Sequence, residues 1–287
     1  MRTGRVFLLT LAAIMAFAGN SLLCRFALRE TRIDPATFTL IRIVSGALAL
    51  QLIVRMRRPS SEKAGSWLSA LALFAYVAGF SFAYMSLSAG TGALLLFGAV
   101  QATMITWALR SGERLNLLQR SGVLVALAGL VALVLPGIAA PPAVGSLLMC
   151  GAGIAWGIYS LRGQKAGAPL LATTGNFSRA IPLAAALSLA CLPWARFDRA
   201  GFGYAILSGA ITSGVGYTIW YTALPSLSAA SAASVQLSVP ILAAAGGILF
   251  LREPITLRFL LASLAVLGGI ALVVTTKNSN RLPIKKA

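Results

Sequence analysis

The chain has 287 residues, of which 58% are hydrophobic and 10% charged, with a mean hydropathy of +0.86. Soluble domains carry roughly a quarter charged residues, so this composition excludes an ordinary soluble protein and indicates a membrane protein. The net charge of +18 comes from Lys and Arg that lie mostly in short links between apolar runs. No basic helix face is interleaved with aromatic residues, which argues against nucleic-acid binding.

Metal and disulfide chemistry are also disfavoured by composition. The sequence contains no histidine and only three isolated cysteines, Cys24, Cys150 and Cys191, which lie in or beside apolar runs. Small buried cysteines are common in apolar cores, whereas disulfide frameworks and zinc sites need clustered ligands. We therefore expect no metal site and no cofactor.

The apolar runs predict ten membrane-spanning helices, because about 17 to 25 residues suffice to cross a bilayer as a helix. Proline and glycine punctuate the links, as in Asp34-Pro35, Pro136-Gly137 and Glu253-Pro254. We place the spans at residues 6–24, 36–54, 66–88, 91–109, 117–135, 143–161, 170–193, 200–224, 228–251 and 257–276.

The first run has an alternative interpretation. Arg2 and Arg5 precede an apolar stretch that ends in Ala16-Phe17-Ala18, a pattern that also suits a cleaved secretion signal. We expect the run to be retained as the first span, because each half of the chain then has five.

An internal repeat organises the chain. Residues 86–134 align without a gap on residues 226–274, from Ser86-Leu87-Ser88-Ala89 against Ser226-Leu227-Ser228-Ala229 to Val134 against Val274. This predicts two repeats, residues 1–139 and 140–287. Because five is an odd number of spans, the second repeat should enter the membrane inverted, which is typical of transporters.

The distribution of basic residues predicts the orientation. If the chain begins on the cytoplasmic side, about twice as many Lys and Arg fall on that side as on the other, as the positive-inside rule requires. Both termini are then cytoplasmic.

Small residues recur along the fifth and tenth spans, at Gly122, Ala126 and Gly129 and at Ala262, Gly268 and Gly269. Small side chains let helix backbones approach closely. We assign these two spans to helix packing, with a contact between subunits as the alternative.

Several short motifs point to a known family. They are Tyr221-Thr222-Ala223-Leu224, Pro240 within a span and Leu251-Arg252-Glu253-Pro254 in the second half, with Tyr84-Met85-Ser86-Leu87 and Gly112-Glu113-Arg114-Leu115 in the first. With two such copies, the chain resembles the EamA-type, ten-helix branch of the drug/metabolite transporter superfamily. Val100 departs from the pattern, standing where the second half has Pro240.

The resemblance implies an all-α membrane fold with two inverted five-helix repeats around a central cavity. Spans 1 to 4 and 6 to 9 would line the cavity, and spans 5 and 10 would stand aside. Bacterial members of this branch are typically inner-membrane exporters of amino acids and related metabolites.

Amides are the first group of candidate substrate-binding residues. Polar groups at mid-membrane depth are costly and therefore often functional. Gln101 and Gln236 lie within spans 4 and 9, and Asn20 and Asn176 within spans 1 and 7. An amide both donates and accepts hydrogen bonds, which suits a zwitterionic amino acid. The alternative is that each amide ties neighbouring helices together.

Aromatic side chains are the second group. Tyr76, Phe80 and Tyr84 share one face of span 3, and Ser213, Tyr217 and Trp220 share one face of span 8. Trp156 and Tyr159 in span 6 would complete the wall of a mostly apolar pocket. The alternative is that Tyr84, Tyr159 and Trp220, near predicted span ends, belong to interfacial aromatic belts.

Two arginines fall inside predicted spans. Arg179 could bind a substrate carboxylate or phosphate through its planar fork, or could contact backbone carbonyls. Arg42 lies nearer a span end and could extend to the membrane surface, or could also bind substrate.

The acidic residues bear on the mechanism. All six Asp and Glu map to links or span ends, whereas proton-coupled pumps commonly use a carboxylate or histidine inside the membrane. We therefore expect facilitative transport. Pro182 and Pro240 interrupt spans 7 and 9 and are candidate hinges, or static kinks filled by neighbours.

The sequence thus favours a secondary transporter that exports small amino acids or related metabolites by alternating access, in lipid and as a monomer. Within transport, the alternatives are a proton-coupled antiporter and a carrier of phosphorylated metabolites. An intramembrane enzyme is disfavoured, because no histidine or buried acid is available for acid-base or metal chemistry.

Overall fold

The computed structural model describes residues 3–57, 64–112, 114–137, 139–163, 167–227 and 229–275. All regular structure in these ranges is helical. The first half contains α1 (Thr3–Glu30), α2 (Pro35–Arg57), α3 (Trp67–Tyr84), α4 (Ala89–Arg110) and α5 (Leu117–Val134). The second contains α6 (Ala143–Gly163), α7 (Pro169–Ala190), α8 (Arg199–Ile206), α9 (Gly216–Ala223), α10 (Ala229–Gln236), α11 (Ser238–Leu251) and α12 (Leu257–Thr275).

Seven helices in the described ranges are long and apolar enough to cross a membrane, namely α1 to α6 and α12. The other predicted spans are helical but differ in composition or continuity. Helix α7 carries Thr173, Thr174, Asn176 and Arg179, which lower its hydropathy, and the predicted eighth and ninth spans each consist of shorter pieces.

The eighth predicted span changes its winding midway. Between α8 and α9, residues 207–215 form a π-helical segment, Leu207–Val215, so the backbone from residue 199 to 223 is helical throughout. Wider π-type turns are rare and are often found at functional sites. In this chain, Ser208 and Thr212 of the segment point into the centre of the bundle.

The ninth predicted span breaks between α10 and α11, at Leu237. Pro240 explains the break, because it has no N–H to donate to the carbonyl of Gln236. Ser238 Oγ donates to the nearby Val235 carbonyl at 2.6 Å. By contrast, Pro182 lies inside the continuous helix α7. Of the two hinge candidates, only Pro240 coincides with a break in the helix.

The repeat found in the sequence has a counterpart in the helices. Helices α4 and α10 begin at equivalent residues, Ala89 and Ala229, and α5 and α12 begin at Leu117 and Leu257. The link after α4 and the link after α11 also turn alike, through Gly112 (φ 90°) and Arg252 (φ 52°) at equivalent positions. The left-handed turn suits glycine and is costlier for arginine.

Helices α5 and α12 pack mainly against each other. A Cβ on Gly122 would lie 2.6 Å from the Gly269 carbonyl oxygen, and one on Gly269 would lie 2.4 Å from the Gly122 oxygen. The small residues therefore form a backbone-to-backbone contact within the chain, as the packing assignment predicted. The remaining helices form the bundle that contains the candidate site.

Candidate functional site

Asn20 of α1 organises a polar cluster in the middle of the bundle. Its Oδ1 accepts hydrogen bonds from Ser208 Oγ at 2.7 Å and Thr212 Oγ1 at 3.2 Å, both in the π-helical segment. Its Nδ2 donates to Tyr76 Oη of α3 at 3.4 Å. Asn20 thus joins three elements, and both acceptor positions of its carbonyl are occupied.

Arg42 of α2 lies beside this cluster and is only 1% exposed. Its Nη2 donates to Tyr76 Oη at 3.1 Å, and its Cζ lies 5.4 Å from the Tyr76 ring centroid and 5.0 Å from that of Phe80. Within the described ranges, Nε and Nη1 of Arg42 have no hydrogen-bond partner. The expectation that Arg42 extends to the surface is wrong, because α2 turns this side chain toward α3.

Close backbone packing holds Arg42 next to the π-helical segment. A Cβ on Gly209 would lie 2.2 Å from the Arg42 carbonyl oxygen and 2.0 Å from Ser45 Oγ. Only glycine fits this contact between α2 and the segment. Gly209 therefore sets the distance between Arg42 and the polar residues of the segment.

Aromatic rings surround the cluster. Trp156 of α6 stacks on Tyr217 at 5.4 Å and on Tyr159 at 5.3 Å, and its ring lies 4.8 Å from that of Tyr76. Phe80 connects Tyr76 to Tyr84 by edge contacts at 5.5 and 4.7 Å.

The structure therefore brings six predicted aromatic residues together: Tyr76, Phe80, Tyr84, Trp156, Tyr159 and Tyr217. Tyr84 and Tyr159 are buried within the bundle, so neither has the lipid-interface exposure expected of a belt.

A cavity of about 440 Å³ opens at the face where α1 begins, which we call the N-terminal face. Asn176 of α7 forms part of its wall. Asn176 Oδ1 accepts from the Ser66 backbone N–H at 2.9 Å, and Nδ2 donates to Tyr159 Oη at 3.5 Å. The cavity is lined by Gly65, Ser66, Ser69, Trp107, Ile158, Leu161, Arg162, Gly163, Ala172 and Asn176.

Asn176 and Tyr159 connect the cavity to the buried cluster. From Tyr159 the ring contacts continue to Trp156 and then to Tyr76 and Arg42. A small molecule entering from the N-terminal face would meet this series of rings before it reached Arg42.

Arg179 adopts the structural alternative that the sequence left open. Its Nη1 donates to the backbone carbonyls of Ala64 at 3.1 Å and Gly175 at 3.0 Å. These bonds tie α7 to the link before α3. The guanidinium is therefore engaged by the protein itself.

Four other candidates lie outside the central cluster or contact it differently. Gln101 is buried in α4 and Gln236 is half-buried at the end of α10; in the described ranges neither side chain bonds to the cluster. Trp220 packs on Phe17 at 5.8 Å. Ser213 is buried in the π-helical segment, and its Oγ has no partner among the described residues.

A buried ion pair that the sequence did not reveal lies at the opposite face, beside a second cavity of about 210 Å³ whose lining includes Glu253. Arg25 Nε of α1 lies 2.9 Å from Glu253 Oε1, with side chains only 11% and 7% exposed. Glu253 Oε2 accepts from the Ala89 N–H at 2.8 Å, and Arg25 Nη1 donates to the carbonyls of Tyr84 at 2.8 Å and Met85 at 3.2 Å. The pair joins the two halves of the chain. The repeated Glu before the last span of each half was its only sequence signal.

Asp34 adds a second link at this face. It caps α2 through the amides of Ala36 and Thr37 and accepts from the Arg196 N–H at 2.9 Å. Partial burial raises the pKa of this carboxyl, but hydrogen bonds from Thr37, Arg196 and Ala36 outweigh it and hold the pKa below its ordinary value. Asp34 is therefore ionised at neutral pH.

No group of three or more His, Cys, Asp or Glu in the described ranges could hold a metal ion. The chemistry of the described centre is that of aromatic rings, amides, hydroxyls and one guanidinium. Such a site can bind a small polar molecule that has an anionic group.

Comparison with known proteins gives one family match over most of the chain. A model described as the EamA-like transporter family matches residues 4–135 and again residues 143–275, which confirms the resemblance and its two copies. The uncharacterized protein PA1977 of Pseudomonas aeruginosa is 54% identical over 274 residues, covering 95% of this chain and 96% of that protein.

Among solved structures, a protein crystal structure is similar in fold, with a TM-score of 0.65 and 16% sequence identity. The similarity covers 95% of this chain and 98% of the other. At that identity the likeness shows the fold alone.

Proposed function

Because the chain belongs to the EamA-like transporter family, we propose that it is a secondary transporter that exports small amino acids or related metabolites by alternating access. It acts in the bacterial inner membrane with both termini in the cytoplasm. The protein works as a monomer, since the small-residue faces of α5 and α12 are used inside the chain.

The observation that carries this proposal is the asymmetric access to the central cluster. The cavity of about 440 Å³ at the N-terminal face is lined by Asn176, which bonds to Tyr159, whereas the smaller cavity of about 210 Å³ at the opposite face is bounded by Glu253 of the buried ion pair and by no residue of the central cluster. A carrier must expose one site to each side in turn. With the N-terminal face in the cytoplasm, we expect this arrangement of a carrier that is inward-facing or occluded.

We further propose ten spans in two inverted repeats. Several of the strongest helix contacts recur when the halves are exchanged: α3 and α4 pack on α6, as residues 199–223 and α11 pack on α1. Likewise, α3 packs on α7 and the π-helical segment packs on α2. This exchange supports a pseudo-twofold relation between the repeats.

We propose facilitative transport because the described acidic side chains lie at helix ends or in links. Glu253 is paired with Arg25, and Asp34 and Asp198 cap helices α2 and α8. A proton-coupled antiporter would need a carboxylate whose protonation alternates with substrate binding. None of these three contacts the Asn20 cluster.

The test is counterflow in proteoliposomes with a panel of amino acids, run with and without a pH difference. We expect exchange of at least one amino acid and no uphill accumulation when only a proton gradient is imposed. Trp156→Ala should abolish exchange by removing the ring that stacks on Tyr159 and Tyr217.

The matched control is Trp194→Ala, because Trp194 is 71% exposed at the opposite end of the molecule. This variant should transport like the wild type. Proton-driven accumulation would overturn the facilitative mechanism, and failure of every panel member would overturn the substrate class.

A further inference from the structure

Three arginines that are buried or partly buried, Arg25, Arg42 and Arg179, differ in how many hydrogen bonds the protein gives them. Arg25 contacts a carboxylate and two backbone carbonyls, and Arg179 contacts two backbone carbonyls. Arg42 is more deeply buried than either, yet among the described residues it has a single hydrogen bond, to Tyr76, and no ion pair. A purely structural role does not explain why the most deeply buried of the three guanidinium groups has the fewest hydrogen bonds.

Burying the guanidinium of Arg42 without an ion pair is strongly unfavourable for the free energy of folding. A guanidinium has five N–H donors and keeps its charge in proteins. Removing a charge from water without pairing it is among the most unfavourable changes in folding. The rings of Tyr76 and Phe80 offset part of this cost through cation–π contact, but they accept no strong hydrogen bond.

We infer that Arg42 is the anchor for the carboxylate of the transported molecule. The inference rests on the proposed transport function and names the group by which the substrate is recognised. An arriving carboxylate accepts hydrogen bonds from the free donors of Arg42 and neutralises its charge in the low-dielectric centre of the bundle. The aromatic rings around it contact the apolar remainder of the substrate.

A carboxylate fits this site better than a phosphate. Phosphate monoesters carry nearly two negative charges at neutral pH, and the described centre offers one uncommitted guanidinium, because Arg179 is engaged by carbonyls. A monocarboxylate matches the single charge of Arg42. The amino acid and its 2-oxo acid share this group, and experiment distinguishes between them.

The route to Arg42 follows from the contacts. Asn176 lines the cavity and bonds to Tyr159, and the rings of Tyr159 and Trp156 lie between it and Tyr76 and Arg42. The rings must part for a substrate to reach the guanidinium. The π-helical segment, with Ser213 Oγ unpartnered among the described residues, forms the wall facing α2.

The first experiment compares thermal unfolding and counterflow for Arg42→Met, Arg42→Lys and the wild type in full-length protein, with the panel amino acid that the wild type exchanges fastest; methionine stands for that amino acid below. Arg42→Met should lose at least tenfold in initial transport rate while its melting temperature stays equal or rises, because an unpaired buried charge is replaced by an apolar side chain of similar length. Arg42→Lys keeps the charge but loses the planar fork, so transport should fall less.

Two further variants separate binding from structure. Arg179→Met should lower the melting temperature, because it removes bonds to the Ala64 and Gly175 carbonyls. Arg120→Met is the neutral control, since Arg120 is exposed on α5 and, in the part of the chain that the structure describes, its side chain donates to the Leu115 carbonyl alone. Its transport should match the wild type.

The second experiment tests the carboxylate directly, with L-methionine, its 2-oxo acid and methioninamide as inhibitors of counterflow. Both acids should inhibit the wild type, and methioninamide should be at least tenfold weaker. Stronger inhibition by the 2-oxo acid than by methionine would identify an anion carrier, and the reverse a carrier of zwitterions; in either case Arg42 binds the carboxylate.

Two results would overturn the inference while leaving transport intact: equal inhibition by methioninamide, or wild-type counterflow in Arg42→Met. A wild type that exchanges no panel compound would instead overturn the proposed function, and the inference with it. A lower melting temperature in Arg42→Met with unchanged transport would assign Arg42 a structural role.

Discussion

Arg25 and Glu253 show how much one side-chain contact contributes when it is buried. Both side chains are nearly inaccessible, and each also bonds to backbone groups of the neighbouring helices. Nearby, Arg29 and Glu30 form an exposed pair at 3.2 Å, with side chains 40% and 45% exposed. Removing one member of a buried pair leaves an uncompensated charge, whereas exposed pairs contribute little.

We predict that Glu253→Gln lowers the free energy of unfolding by about 3 kcal/mol, because Arg25 is left buried without its counter-charge. Glu30→Gln, the matched control, should cost less than about 1 kcal/mol. Denaturant unfolding in detergent measures both. The double variant Arg25→Met/Glu253→Met should lose less than the sum of the single losses, and strict additivity would contradict a coupled pair.

At the scale of helices, α5 and α12 depend on contacts between glycines rather than on large side chains. Gly269 approaches the Gly122 carbonyl and the Ala126 backbone nitrogen, whereas a Cβ on the adjacent Gly268 would meet no atom within 4 Å. The sequence identified both helices as small-residue packing helices. It did not distinguish Gly268 from Gly269, because that depends on the rotation of each helix about its own axis.

We predict opposite effects for two neighbouring substitutions. Gly268→Ala should stabilise the protein by about 0.5 kcal/mol, since alanine restricts the unfolded chain and favours helix. Gly269→Ala should destabilise it by about 1–3 kcal/mol, because the new methyl group would collide with the backbone of α5. Thermal unfolding measures both effects. Equal shifts in the melting temperatures of the two variants would show that the α5–α12 contact is looser than described.

At the scale of the whole molecule, the two faces differ in a way that labelling can detect. Leu161 lines the cavity at the N-terminal face, and Ile255, which follows Glu253 in the chain, is 58% exposed at the opposite face. The proposed orientation, which follows the positive-inside distribution of Lys and Arg, has the N-terminal face in the cytoplasm.

We predict that, in a variant without native cysteines, a membrane-impermeant maleimide labels Ile255→Cys in intact cells and leaves Leu161→Cys unlabelled. Inverted membrane vesicles should show the reverse. Labelling of Leu161→Cys from outside intact cells would contradict the proposed orientation. Cys24, Cys150 and Cys191 are replaced first, since Cys150 and Cys191 are partly accessible.

The sequence by itself determined that the chain is a helical membrane protein built from two copies of one unit. Those properties are local or repetitive: the length of an apolar run fixes a span, and an ungapped self-alignment fixes the duplication. The sequence also predicted most of the central aromatic residues, because positions four apart share a helix face.

Only the tertiary structure decided what each arginine does. Arg25, Arg42 and Arg179 all lie in or beside apolar runs, yet their partners differ. Arg25 pairs with Glu253, 228 positions away, Arg179 contacts the Ala64 and Gly175 carbonyls, and Arg42 has two donor atoms without a partner among the described residues. A side chain's partner depends on which helices pack together and on their rotation. Burial also determines how much each contact contributes to the free energy of unfolding. The amino-acid sequence alone therefore predicted neither the partner of each arginine nor the strength of the contact.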